Sequence, residues 1–371
     1  MGGFLDGGGQ ESAANWEAAD APPEATGLSG LLAAAQAGDT VSAPGGTYRG
    51  NFTVPVGVTL RPEQGARVVI DVLDSFDLRG ATVRDIEIMS SNTDRTAIQT
   101  GVDMSAPQSH LIGCYVHDIH SNGVNWLSSG AGEIIDCLFI NNGFRDAEGT
   151  PRAHCIYSHN HGGGARLIEN NILLGGMGAY ALHIYSAGNN ALRDYTVRSN
   201  VTTFRPTIVG GGLGVSNLRY EGNIQHTDVC LIGRYSQNTD CIVTGNRWSG
   251  GATLEISGFQ SVIESDNAAV TEQDIVITPC LHSARQIAHV TVLNPAGHPA
   301  IDIDLTGLGL TVGVHYVLRN AQDYAKGYAF AYDGAALSLP LTGWQVQRAI
   351  GGIGQRASTL PAFGVFILER L

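Results

Sequence analysis

The chain has 371 residues, of which 49 are glycine and only 15% are charged, with a formal net charge of −13 at pH 7. That profile fits many tight turns between short strands and argues against a helical bundle. The negative balance, with Lys326 the one lysine, disfavours nucleic acid or an anionic membrane as partner, and no run of about 20 apolar residues could span a bilayer.

The opening MetGlyGlyPheLeuAspGlyGlyGly lacks a basic stretch followed by an apolar one, so no conventional secretory signal is expected. Residues 1–26, rich in Gly, Ala, Glu and Pro, read as a flexible arm. Residues 27–37 read as a short amphipathic helix placed to cover the open first coil of a solenoid. GlyAspThrVal at 38–41 then begins strands separated by turn residues. Further on, Asn171, Asn200, Asn223 and Asn246 recur in near-identical frames at intervals of 29, 23 and 23. Cys137 and Cys114 hold the same slot earlier, 23 apart, and Asn267 follows Asn246 by 21. A period near 23 with short apolar alternations predicts a solenoid that adds one coil per repeat. An Asn side chain suits such a slot because its amide can bond to the equivalent residue one coil away, about 4.8 Å along the stack.

The fold class expected is all-β: a right-handed single-stranded parallel β-helix over 27–270, with a helical cap and a C-terminal β-sandwich module over 275–371. In the module the 23-residue interval disappears and strands lengthen, as in HisValThrValLeuAsn at 289–294. Its expected place is at or near the C-terminal end of the helix, where a repeat stack needs closing. The six cysteines form no CxxC pair or Cys/His metal spacing. Cys114 and Cys137 read as stacked core thiols, with a disulfide between coils as the alternative.

The helix followed by GlyAspThrVal, the asparagine ladder and the HisCysIleTyr segment at 154–157 resemble the pectate-lyase-like superfamily of right-handed parallel β-helix proteins. The resemblance covers about residues 27–270. It implies the fold but no single activity, since that superfamily includes lyases, hydrolases, epimerases, phage tailspikes and proteins with no known catalysis.

Counting from the ladder gives an outward column of Asn125, Tyr157, His183, Val209, Ile232 and Glu255. A second column is Leu127, His159, Tyr185, Gly211, Arg234 and Ser257. Tyr157, His159, His183 and Tyr185 thus meet on two neighbouring coils. Two insertions border them. One, at 143–153, carries Asp146, Glu148 and Arg152, and the other falls around 186–196. Binding loops of solenoids gather on one face in this way. His154 reads as a turn residue or a substrate contact, and Arg205 as a turn residue or a ligand clamp. His161, before three glycines, reads as turn chemistry. His110, His117 and His120 read as surface residues.

Glycoside hydrolysis needs two placed carboxylates, and a calcium-dependent lyase needs an acidic cluster; neither is evident on this face. Metal-free β-elimination on a uronate fits better, with no cofactor and no metal. His183 or His159 would be base, Tyr157 or Tyr185 acid, and Arg234 or Arg152 the carboxylate partner. C5 epimerisation shares the first step. Asn125, Arg152, His154, Glu255, Asp146 and Glu148 are the expected substrate contacts. The alternative is a tailspike-like or surface component that binds glycan without cleaving it. The expected partner is a polysaccharide and the expected location extracellular or on a virion surface. A secreted enzyme would be monomeric, a virion component a homotrimer or larger assembly.

Overall fold

The structure, a computed structural model, describes residues 3–5, 25–96, 99–160, 163–185, 191–234, 237–352 and 356–371. His161 and residues 186–190 of the second insertion lie outside the described residues, as does the arm apart from Gly3–Leu5 and residues 25–26, which open the helix Ala25–Ala34.

Stacked coils of a parallel β-helix make up most of the chain. Each full coil has three strands, exemplified by Arg166–Glu169, Ile172–Leu174 and Tyr180–Ile184. The first strands form a ten-stranded parallel sheet from Thr40–Ala43 to Phe259–Ser265. The second and third strands form two further ladders, which merge at the base. There the long strands Gly46–Val54 and Val68–Leu78 run through both. The helix Ala25–Ala34 covers that base, burying Leu28 and Leu32 in the cluster that holds Phe52, Val54 and Val58.

The asparagines stack as their spacing requires. Asn171, Asn200 and Asn223 each donate their backbone N–H to the side-chain oxygen of the next ladder Asn, at 2.9–3.0 Å. Cys137 N–H donates to Asn171 Oδ1, and Asn246 N–H to Asn267 Oδ1. The residue before each slot (Gly113, Asp136, Asn170, Ser199, Gly222, Gly245 and Asp266) has φ between 51° and 67°. A left-handed residue turns the chain sharply from the first strand into the second, which explains the Gly, Asn, Asp and Ser found there. Cys114 and Cys137 are buried free thiols.

Register corrects part of the expected outward face. Leu182, Thr207, Cys230 and Leu254 are paired inward, and Ile184, Val209, Ile232 and Ile256 likewise. Between these rows the outward column runs Asp77, Asp103, Asn125, Tyr157, His183, Ile208, Leu231 and Glu255. Val209 and Ile232, expected outside, are therefore core residues. The turn from Thr203 to Thr207 is shorter than that from Leu174 to Tyr180, and an offset of one residue exchanges the two faces of a strand. For the same reason Gly210 and Gly233, not Gly211 and Arg234, continue the row of His159 and Tyr185.

The C-terminal module is a six-stranded sheet of Gly3–Leu5, Asp323–Ala331, His315–Asn320, Phe363–Arg370, Gln286–Leu293 and Asp274–Pro279, antiparallel throughout. A pair of strands, Ala300–Ile303 and Leu337–Pro340, packs on one face through Ile301, Ile303 and Leu339. The other face lies along the flank of the β-helix, not across its end. Tyr324, Phe363, Val365 and Ile367 meet Leu138, Ile140, Ile172, Leu174 and Val201 of the second-strand ladder. These outward apolar side chains are what the flank position buries. On the last coil Val262 and Ile263 remain 41% and 58% exposed.

Candidate functional site

Two strands carry the densest chemistry on the third-strand face. HisCysIleTyrSerHis at 154–159 lies in parallel register with TyrAlaLeuHisIleTyr at 180–185, pairing His154 with Tyr180 and Tyr157 with His183. His159 and Tyr185 follow in the next outward position, each donating its N–H to the preceding coil. Every His on one strand thus faces a Tyr on the other. Tyr180 completes this alternation and was absent from the sequence-based set. Its signal was present, since it precedes His183 by the same three residues that separate His154 from Tyr157.

The rings contact one another closely. Tyr157 stacks on His183 with centroids 5.1 Å apart, and His183 on Tyr185 at 5.1 Å. Tyr180 lies 4.5 Å from His183, and His159 meets Tyr157 edge-on at 5.7 Å. His183 Nδ1 and His154 Nε2 share a hydrogen bond of 3.0 Å, while His154 Nδ1 is buried without a partner among the described residues. Burial, reinforced by the Arg234 charge, pushes His183 down to about 4, and burial beside His183 pushes His154 down to about 2. Both imidazoles are neutral at pH 7. Burial raises the Tyr157 phenol, which stays protonated. The half-buried rings use their faces against one another, and His183 Nδ1 and His154 Nε2 are engaged with each other, so a ligand would meet the polar edges of the cluster and not its ring faces.

The remaining expected site residues divide clearly. Asn125 adjoins Tyr157 in the column and bonds Thr100 and Asn122. Arg234 is exposed one residue past the His159–Tyr185 row, close enough to act on His183. Glu255 stands three strand spacings from His183, about 14 Å away, too far to share its chemistry. Arg152 bonds Asp146 at 2.7 Å inside the hairpin Phe144–Arg145/Pro151–Arg152, so its guanidinium is already engaged. Arg152 also holds Asp146 below the usual carboxylate range. Glu148 is exposed at the tip of the same insertion.

Two further features were missed. At the other end of the column Asp77 and Asp103 are direct register partners, one spacing apart. Arg79 and Ser105 bond Asp77, while burial and then Asp77 raise the Asp103 carboxyl. Starting the column at Asn125 had hidden this pair. His117 and His120 are buried at 4% and 0% exposure, contrary to a surface assignment, because coil loops and the module cover them. His117 bonds Asp118 at 2.8 Å and Glu87 at 3.1 Å. Burial alone would lower it, but the two carboxylates outweigh that and hold it at about 9. His110 is partly buried against Glu133. Among the described residues no group of three or more His, Cys, Asp or Glu is arranged to hold a metal ion, and no helix is long and apolar enough to cross a membrane.

Fold and face together define a parallel β-helix protein with a half-buried tyrosine–histidine cluster on one face and a module docked on its flank. The chain matches no family model and no curated protein. Among solved structures it is similar to that of the Dettilon tailspike protein, at 14% identity over 85% of this chain and 68% of that one, with a TM-score of 0.22. An overlap so slight carries no argument, and the fold rests on the strand pairings themselves.

Proposed function

We propose that this protein binds a polysaccharide across strands His154–Ser158 and Tyr180–Ile184, as a surface or virion component whose primary role is recognition. The observation that carries this reading is the alternation of three tyrosines and three histidines on two adjacent coils. Phenols and neutral imidazoles donate and accept hydrogen bonds, which suits a hydroxyl-rich ligand. Recognition takes precedence over catalysis because an effective general base has a pKa near the working pH. His183 at about 4 and His154 at about 2 are too weakly basic for efficient removal of a carbon-bound proton.

Metal-free β-elimination is the second reading, favoured by one observation: the Arg234 charge reaches His183, which lies between Tyr157 and Tyr185. On that reading Arg234 neutralises the uronate carboxylate, His183 takes the α-proton and a tyrosine protonates the leaving oxygen. Affinity electrophoresis against uronate and neutral polymers, with absorbance of the unsaturated product followed in parallel, separates the two. Recognition predicts retardation without product, and its loss in a Tyr157→Ala/Tyr180→Ala variant that keeps its circular dichroism. Product formation abolished by His183→Ala would establish elimination instead. No retardation on any polymer would contradict both. In light scattering a stable trimer supports the virion assignment and a monomer opposes it.

A further inference from the structure

Beside the ring face, three arginines from distant parts of the chain converge. Arg145 comes from the inserted hairpin and is exposed, bonding Gly149 O. Arg205 sits in the turn before strand Thr207–Val209, and Ala181 N–H bonds Pro206 O. Extending the Leu182–Thr207 register back by two residues places Arg205 in line with Tyr180 and His154. Arg356, from the module, bonds Gly176 O and lies 4.7 Å over the Phe204 ring. A Cβ at Gly175 would fall 2.5 Å from Arg205 Cβ, so glycine there admits the arginine.

Their charges are poorly matched. Arg205 Nε is buried with no hydrogen-bond partner among the described residues. Burial lowers Arg205, Arg145 lowers it further, and only Asp228 acts in the opposite sense. Burial takes Arg356 down to about 10, with Arg205 and Arg145 both contributing. In a chain of net charge −13 there are carboxylates in plenty to pair with guanidiniums, yet among the described residues Asp228 is the one carboxylate that acts on Arg205. Mutual repulsion and a buried unbonded donor both cost stability, and an oxyanion would relieve both.

We propose that Arg145, Arg205 and Arg356 form an anion-binding site that receives a carboxylate or sulfate ester of the polysaccharide lying on the ring face. The ligand's identity rests on the recognition reading above; the affinity for an oxyanion does not. The site narrows the ligand class to acidic glycans and sets its direction, with the charged group at the Tyr180 end of the face.

Thermal unfolding of the full chain in sodium sulfate and in sodium chloride at matched ionic strength tests the site directly. Binding to dextran, dextran sulfate and polygalacturonate tests the ligand and separates sulfate from carboxylate. Sulfate should raise the unfolding temperature beyond chloride, and one acidic polymer should bind at least about tenfold more tightly than dextran. Arg205→Met should abolish both differences while unfolding no earlier than the parent in chloride, since it removes repulsion. The inference is overturned if Arg205→Met keeps the sulfate response and the acidic preference. It is also overturned if that variant unfolds several degrees early in chloride with the sulfate response intact, the mark of a structural arginine. A sulfate response lost in Arg205→Met, with no polymer bound, supports the anion site and contradicts the ring reading. Dextran binding that is lost in Tyr157→Ala/Tyr180→Ala and unchanged in Arg205→Met does the reverse.

Discussion

The second- and third-strand faces of neighbouring coils treat histidine in opposite ways. Beneath the module His117 lies between Glu87 and Asp118, stacks on Tyr115 at 4.1 Å and is charged. On the third-strand face His154 and His183 have each other and tyrosines for neighbours, and are neutral. Burial alone does not make the difference. His289, on the module's own strand Gln286–Leu293 and buried against the coils, has Asn170 and Gln286 as partners and is lowered to about 3. Carboxylate partners make the difference, and they occur where the module must be held. Arg95 binds Asp118, Arg67 binds Glu87, and Arg319 and Tyr324 bind Glu369. Arg95 and Asp118 in turn bond the Ile350 backbone of the module, so the matched network ties the two parts of the fold together, whereas among the described residues no carboxylate bonds His154 or His183.

The contrast can be broken most forcefully with acid. The folded values of His154, His183, His226 and His289 lie below the ordinary 6.5, so their contribution to stability is complete above 6.5. It is lost as pH falls toward about 4, each group costing on the order of 1.4 kcal/mol per unit. Urea midpoints should therefore fall steeply between pH 6.5 and 4, and a His154→Gln/His183→Gln variant should show a shallower fall. His117 has the opposite sign: its contribution is full below 6.5 and is lost as pH rises through about 9. A flat profile on both sides would contradict both assignments.

His117→Ala should have the next largest effect, because it leaves two buried carboxylates without their shared partner. Loss of one member of a buried pair costs about 3–5 kcal/mol. Denaturant unfolding should register that cost while glycan retardation persists, whereas His183→Ala should weaken retardation at little cost in stability. A reversed result would collapse the distinction between the faces. Asn200→Ala should cost less, about 1–3 kcal/mol, by leaving Asn171 N–H and Ile168 O without partners. A loss below about 0.5 kcal/mol would show that the ladder is dispensable.

The coils were legible because a repeat writes its period into the sequence, and Asn171, Asn200, Asn223 and Asn246 mark it at a fixed slot. Tyr157, His159, His183 and Tyr185 could be grouped because they belong to neighbouring coils. Ile208 and Val209 were exchanged because face assignment depends on turn length, which no ladder residue reports. The flank position of the module and the meeting of Arg145, Arg205 and Arg356 escaped for a different reason. Both arise from contacts across long stretches of chain, where spacing carries no information. His117 was misread because its cover comes from that module.

The most direct measurement is a crystal structure of the full chain soaked with an acidic oligosaccharide. The account predicts sugar density along Tyr157, Tyr180 and His183, with an acidic group at Arg205. Density confined to another surface, with the six rings left bare, would contradict it.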